Sequence, residues 1–221
     1  MRKGCKQRCI GISGRLGNWF TFTVAVSILS FSVSGQAITL EDLQDQLSGQ
    51  PVVRGLFTQV RSMEMLNAPL ESEGEFLLAK EKGLQWHQTQ PFPVKLVLTQ
   101  TKLSQQFSGG EASVVSAEEN PMVFYFSHVF LSLFSGDTRQ LKEQFELSLT
   151  DSINHEGWQL VLTPNSAPLN AVFQSIQLSG GQYINELILE EVRGDKTEIT
   201  FHDQQSANTD LTAEESRGFK I

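Results

Sequence analysis

The 221-residue sequence predicts a single α+β domain, an antiparallel sheet covered by a few short helices. Three observations point to it. Gly74 to Leu98 alternates apolar and polar residues with a period of two, and turn residues divide it into three strands. Phe145 to His202 repeats that alternation in five further runs, parted by links containing glycine, proline or asparagine. Between them, Asn120 to Ser135 reads NPMVFYFSHVFLSLFS, a helix that is apolar almost all round.

Taken from its start, the chain opens with a segment that looks like a secretory leader, residues 1–37. Arg2, Lys3, Lys6, Arg8 and Arg15 make it basic, Trp19 to Val33 is uncharged, and Gly35 and Ala37 offer the small residues of a cleavage site. The uncharged run is short for a comfortable membrane span, although an uncleaved N-terminal anchor is the alternative. Both cysteines, Cys5 and Cys9, precede the apolar run, so there is no lipidation pattern and no thiol remains after cleavage. Cleavage removes five of the 17 basic residues and none of the 25 acidic ones, taking the formal charge from −8 to −13. So acidic a domain is repelled by phosphate-rich surfaces, which disfavours nucleic acid and anionic lipid as partners.

Thr39 to Ser48 reads as an amphipathic helix, with Thr39 and Asp42 as a capping box and Leu40, Leu43 and Leu47 on one face. Gly49 ends it, Pro51 cannot continue it, and Val52 to Met65 follows as a long strand with Val53, Gly55, Phe57 and Gln59 on one side. After the Asn67-Ala68-Pro69 turn come the three alternating strands. Lys95 to Val115 holds two more, parted at Gly109-Gly110. Asn120 caps the apolar helix and Pro121 occupies its tolerant first position. Thr138 to Gln144 forms one more helix, with Leu141 and Phe145 inward. The tail from Gln204 is polar and weakly patterned.

Gly74-x-Phe76, a short basic turn, and Trp86-His87-x-Thr89-Gln90-Pro91 together resemble the central hairpin of the LolA family, periplasmic carriers of outer-membrane lipoproteins. Gly55-Leu56-Phe57-Thr58-Gln59, Leu162-Thr163-Pro164 and Gly194-Asp195-x-Thr197-x-Ile199-x-Phe201 fit the same family, so the likeness runs from about Leu40 to Phe201. It implies a strongly curved sheet, an incomplete β-barrel, under a lid of short helices. It also implies a hydrophobic cavity lined by Phe57, Phe76, Leu78, Leu84, Trp86, Leu96 and Leu98 of the sheet and by Phe124, Phe126, Phe130 and Phe134 of the apolar helix. For Phe57, Phe76 and Trp86 the residue pattern leaves core and cavity lining equally open. Periodicity likewise leaves the apolar helix open between core and lid. The resemblance places a lid-gating basic residue at Lys80, where the family has Arg-Pro and this chain has Lys80-Glu81. Lysine lacks arginine's planar fork and makes fewer simultaneous bonds.

No catalytic pattern competes with this reading. His87, His128, His155 and His202 are scattered without ligand spacing, no Gly-x-Ser-x-Gly occurs, and the Gly-Gly pairs lack phosphate-loop flanks. A histidine on the apolar helix, His128, is expected buried and hydrogen-bonded, not a base for Ser127 or Ser132. The implied function is therefore non-enzymatic and free of cofactor and metal. It is a monomeric carrier that takes lipoprotein acyl chains, or another amphiphile, from an inner-membrane extraction complex to an outer-membrane receptor. Covering an acyl chain spares about 0.8 kcal/mol per methylene, which is why such a carrier needs apolar surface. Lys80-Glu81, the altered segment after Leu98 and the short tail suggest a divergent member. Its cargo could then be another lipid, a glycolipid or a polyketide. A lipid-sensing regulatory domain is a second alternative, and a hydrolase ranks last.

Overall fold

The computed structural model describes residues 38–135, 137–151, 157–206 and 211–221. The expected leader and the expected turn at Asn154-His155-Glu156 lie outside them. In chain order the elements are α1 (Leu40–Ser48), β1 (Val52–Ser62), β2 (Leu70–Ala79), β3 (Gly83–Gln90), β4 (Val94–Leu98), β5 (Lys102–Phe107) and β6 (Ser113–Ser116). Then follow α2 (Pro121–Ser135), α3 (Thr138–Gln144), β7 (Phe145–Asp151), β8 (Trp158–Pro164), β9 (Phe173–Gly180), β10 (Ile184–Glu191), β11 (Lys196–Ser206) and α4 (Ala213–Gly218).

The strands form one sheet in the order β6-β5-β4-β3-β2-β1-β11-β10-β9-β8-β7. This order has a simple origin. From β1 the chain meanders outward through tight turns to β6, at one edge. It reappears at the opposite edge as β7 and meanders back until β11 pairs with β1 (Phe57 opposite Phe201, Gln59 opposite Ile199). Crossing from edge to edge is the work of α2 and α3, so these helices fall over the face that carries the apolar residues. The edge strands β6 and β7 are not paired with each other, and the sheet stays an unclosed, curved antiparallel structure. One edge is kept short, since β6 has only four residues.

Local chemistry explains the ends of these elements. The Thr39 hydroxyl accepts from Asp42 N while Asp42 accepts from Thr39 N, the reciprocal capping expected for α1, and the Thr39 hydroxyl and then its N–H, both donating to Asp42 Oδ2, hold that carboxyl below its ordinary pKa. Leu43 and Leu47 of α1, Val129, Leu133 and Phe134 of α2, and Leu141 of α3 are buried against the sheet. Thr138 Oγ1 donates to Gln44 Oε1 at 2.6 Å, which ties α3 to α1. Two glycines are required by close approach. A Cβ on Gly83, at φ +124°, would meet Leu98 O at 1.9 Å, and one on Gly74 would meet His87 O at 2.1 Å where the β2–β3 ladder shifts register.

The tail corrects the expectation of a weakly patterned end. β11 continues to Ser206, and α4 begins with a Thr212–Glu215 capping box that the sequence Thr-Ala-Glu-Glu already contained. Leu211 and Phe219 then pack on Val52, Leu77 and Ala79, a second small core on the outer face of the sheet. No described helix is long and apolar enough to cross a membrane.

Candidate functional site

Between the inner face of the sheet and α2 lies a cavity of about 370 Å³. Its floor follows from strand register. Leu84, Leu98 and Leu103 are direct cross-strand neighbours on β3, β4 and β5, and Trp86 with Leu96 forms the next row. Directly paired residues of an antiparallel sheet point to the same face, so alternation along each strand builds one continuous apolar wall. The other half of the sheet supplies Ile199, Leu189, Ile176 and Phe173, with Gln59 of β1 between the halves. Overhead, α2 contributes Ser127, Val129 and Leu133, the last two a turn apart on one helix face. Leu169, from a short 3-10 turn, closes one side. The described lining contains no ionisable group, and Gln59 and Ser127 are its only polar residues.

Of the residues expected in the cavity, Leu84, Trp86, Leu96 and Leu98 line it. Phe57, Phe76, Leu78 and Phe134 stand in the core beside it. Phe57 stacks on Trp86 with ring centroids 3.5 Å apart, while Phe76 and Phe134 both pack edge-on against Phe201. An aromatic cluster thus backs the cavity wall. Phe124 is buried on α2. Phe126 and Phe130 are positions of α2 whose side chains lie outside the described residues. Sequence reasoning missed the lining from β9–β11. The alternation that would have revealed it is present, but which face met α2 depended on long-range pairing.

Lys80 sits at the β2–β3 turn and its Nζ donates to the carbonyl of Ser48, the last residue of α1, at 3.3 Å. A cation there also complements the negative end of the helix dipole. Beside it is a cleft of about 300 Å³ that includes Gln50, His128, Ser132 and Phe134, so Lys80 stands where α1, α2 and the hairpin meet. His128 corrects an expectation: it is exposed on α2, although hydrogen-bonded, with Nε2 2.8 Å from the carbonyl of Gln100. A proton on Nε2 satisfies that carbonyl. Among the described residues no cluster of side chains is arranged to hold a metal.

The outer face carries a larger groove of about 840 Å³ between α4 and β1–β5, but Arg54, Glu75, His87, Lys95 and Glu215 line it. Charged walls are poor cover for hydrocarbon. The inner cavity is the site whose chemistry is that of an apolar ligand.

In a comparison with solved structures, the chain is similar to a LolA superfamily protein from Nitrosomonas europaea, with 12% identity and a TM-score of 0.43 over 80% of this chain and 97% of that one. It is also similar to a putative outer membrane lipoprotein-sorting protein domain from Vibrio parahaemolyticus, with 10% identity and a TM-score of 0.44 over 82% and 98% of the two chains. No curated protein matches at a significant level. The model of one protein family, described as outer membrane lipoprotein carrier protein LolA, matches residues 48–215, a span that runs from the end of α1 into α4 and takes in every strand and the whole cavity lining. This chain belongs to the LolA family.

Proposed function

We propose that this protein is a periplasmic carrier that shields the acyl chains of lipoproteins, or of a related amphiphile, and delivers them toward the outer membrane. The observation that carries the reading is the 370 Å³ cavity with an almost wholly apolar lining under a helix that joins the two edges of the sheet. Family members are carriers and not enzymes, and they work in the periplasm of Gram-negative bacteria. Residues 1–37 act as the export leader, and the protein travels as a monomer without cofactor.

Loading and release follow from the architecture. The sheet is held by continuous ladders, whereas α2 covers it through side-chain contacts, the His128 bond to Gln100 O among them, so α2 is the cheaper element to move. An inner-membrane complex lifts it and loads the chain, and a receptor at the outer membrane takes the chain into a more apolar site. Lys80, bonded to the end of α1, gates this movement.

Mass spectrometry of the amphiphile that co-purifies with the protein from a Gram-negative periplasm tests the proposal. An acylated lipoprotein or another acyl amphiphile in stoichiometric amount is the expected result. A protein that arrives empty and takes up no added amphiphile would refute the carrier reading.

A further inference from the structure

The first residues of the folded domain are fastened one by one. Ile38, with which the described residues begin, is half-buried and packs its side chain against the main core. Its backbone N donates to Asp151 Oδ1 at 3.3 Å, across 113 positions of sequence. Thr39 follows as the N-cap of α1, with its hydroxyl and its N–H both on Asp42 Oδ2. Asp151 is the last residue of the edge strand β7 and pairs with Trp158, which is buried and donates its indole N–H to Gly181 O at 2.8 Å. Gln46 of α1 donates to that same carbonyl. Hydrogen bonds thus tie α1 to the end of the edge strand and to the β9–β10 turn.

These contacts fix where a leader can be removed without harm. A cut after Ile38 takes its side chain from the core, and a cut after Thr39 takes the cap from α1. A cut between Ala37 and Ile38 spares both, and it has the small residues Gly35 and Ala37 at its −3 and −1 positions. Water added across that peptide bond leaves Ala37 as a carboxylate and Ile38 as an amine, largely an ammonium at neutral pH. One N–H donor becomes three, with a full positive charge, beside a carboxylate that already accepts from that nitrogen. The positive end of the α1 dipole opposes a cation there, and Glu41 and Asp42 in its first turn offset this.

We infer that the leader is cut between Ala37 and Ile38 and that the α-ammonium so formed pairs with Asp151, fastening α1 to the edge strand β7. The uncut chain has only an amide N–H at this place, so the cut tightens the fold as well as freeing the protein. This rests on reading residues 1–37 as an export leader, and adds where the leader is cut and what the new terminus does.

Intact-mass measurement of the protein exported into a Gram-negative periplasm tests the cut, and a chain of residues 38–221 is the expected result. Four purified proteins test the pair: they begin at Ile38 or at Ser34 of the natural sequence, each with and without Asp151→Asn. The carboxylate is exposed, so in the Ile38 form the substitution should lower the folded-to-unfolded ratio by a modest factor, about threefold at low salt. An asparagine oxygen still accepts from an amide N–H, so in the Ser34 form the ratio should barely change. An NMR titration of the Ile38 α-amino group should give a pKa above the ordinary range of about 7.7–8.0, returning to it in Asp151→Asn. A mature chain that begins at any other residue would overturn the inference and leave export by a leader standing. An ordinary α-amino pKa, or equal effects of Asp151→Asn in the two forms, would overturn it as well. A chain that reaches the cell envelope with residues 1–37 still attached would refute the leader reading along with it. None of these outcomes touches ligand uptake, on which the carrier reading stands.

Discussion

Lys80 and Gly74 show how much a single position decides in this hairpin. Lys80 reaches Ser48 O through a flexible, exposed stem, so the bond contributes little to stability, about 0.5 kcal/mol or less. Its effect should fall on rates. Lys80→Ala is expected to leave the urea midpoint nearly unchanged while speeding release of a fluorescent fatty-acid probe several-fold. Stopped-flow release with an unaltered rate would remove Lys80 from the gating step. Gly74 is constrained in the opposite way. It lies opposite Phe57 at the register shift between β2 and β3, and any Cβ there runs into the backbone of His87. Gly74→Ala should therefore cost about 2 kcal/mol or more, because backbone and not a movable side chain must give way. Chemical denaturation reads this directly. Lys80 was legible in the sequence through the resemblance. Gly74 stood in the same motif, but its clash depends on a bulge, and alternation does not encode a bulge.

At the scale of elements, α4 is the piece with its own fastening. Arg54 Nε and Nη2 donate to the two oxygens of Glu215 at 2.5 and 2.8 Å, Gln85 Nε2 donates to Glu215 O, and Lys82 Nζ donates to Ser216 Oγ. The Arg54 hydrogen bonds, assisted by those of Thr212 and opposed by partial burial, hold the Glu215 carboxyl down to about 2 from the ordinary 4.5. A lowered carboxylate stabilises the docked helix fully above pH 4.5, and that contribution is lost as pH falls from 4.5 through 2. Because both side chains retain some solvent contact, its size is about 1 kcal/mol, not the full amount the shift implies. The protection factor of Ser216 N, bonded to Thr212 O, taken against the unfolded-chain rate at the same pH, should fall over that acid window. Arg54→Met should exchange faster already at neutral pH and lose most of the acid step. A protection factor that stays constant between pH 4.5 and 2 in the natural protein would contradict this account. The capping box of α4 was legible as Thr-x-x-Glu. That the helix would land on the outer face was not, because the apolar residues it covers belong to strands whose other side is the main core.

For the whole molecule, a ligand that fills the cavity binds only the folded state and should raise its stability. At a hundred times the dissociation constant the gain is about 2.7 kcal/mol, and for a domain of this size about 5–10 °C in Tm. A thermal scan of delipidated protein with and without tetradecanoyl monoglyceride measures it. No shift at high ligand concentration would mean that the folded protein does not take up this ligand.

The residue pattern alone determined the strands, the three inner helices and the apolar character of α2. Those depend on local terms, namely alternation, capping residues and turn chemistry, which neighbours in the chain supply. The family resemblance, and not the pattern, named Leu84, Trp86, Leu96 and Leu98 for the cavity, where the hairpin register sets them side by side. Only the tertiary structure decided that β11 returns to β1 and brings Ile199, Leu189 and Ile176 to face α2. Only it could set Phe57 behind Trp86. Pairing between β1 and β11 closes a loop of more than a hundred residues, and no local pattern carries the information for it. The helices fall over the inner face for the same reason: the chain has to cross from one edge of the sheet to the other.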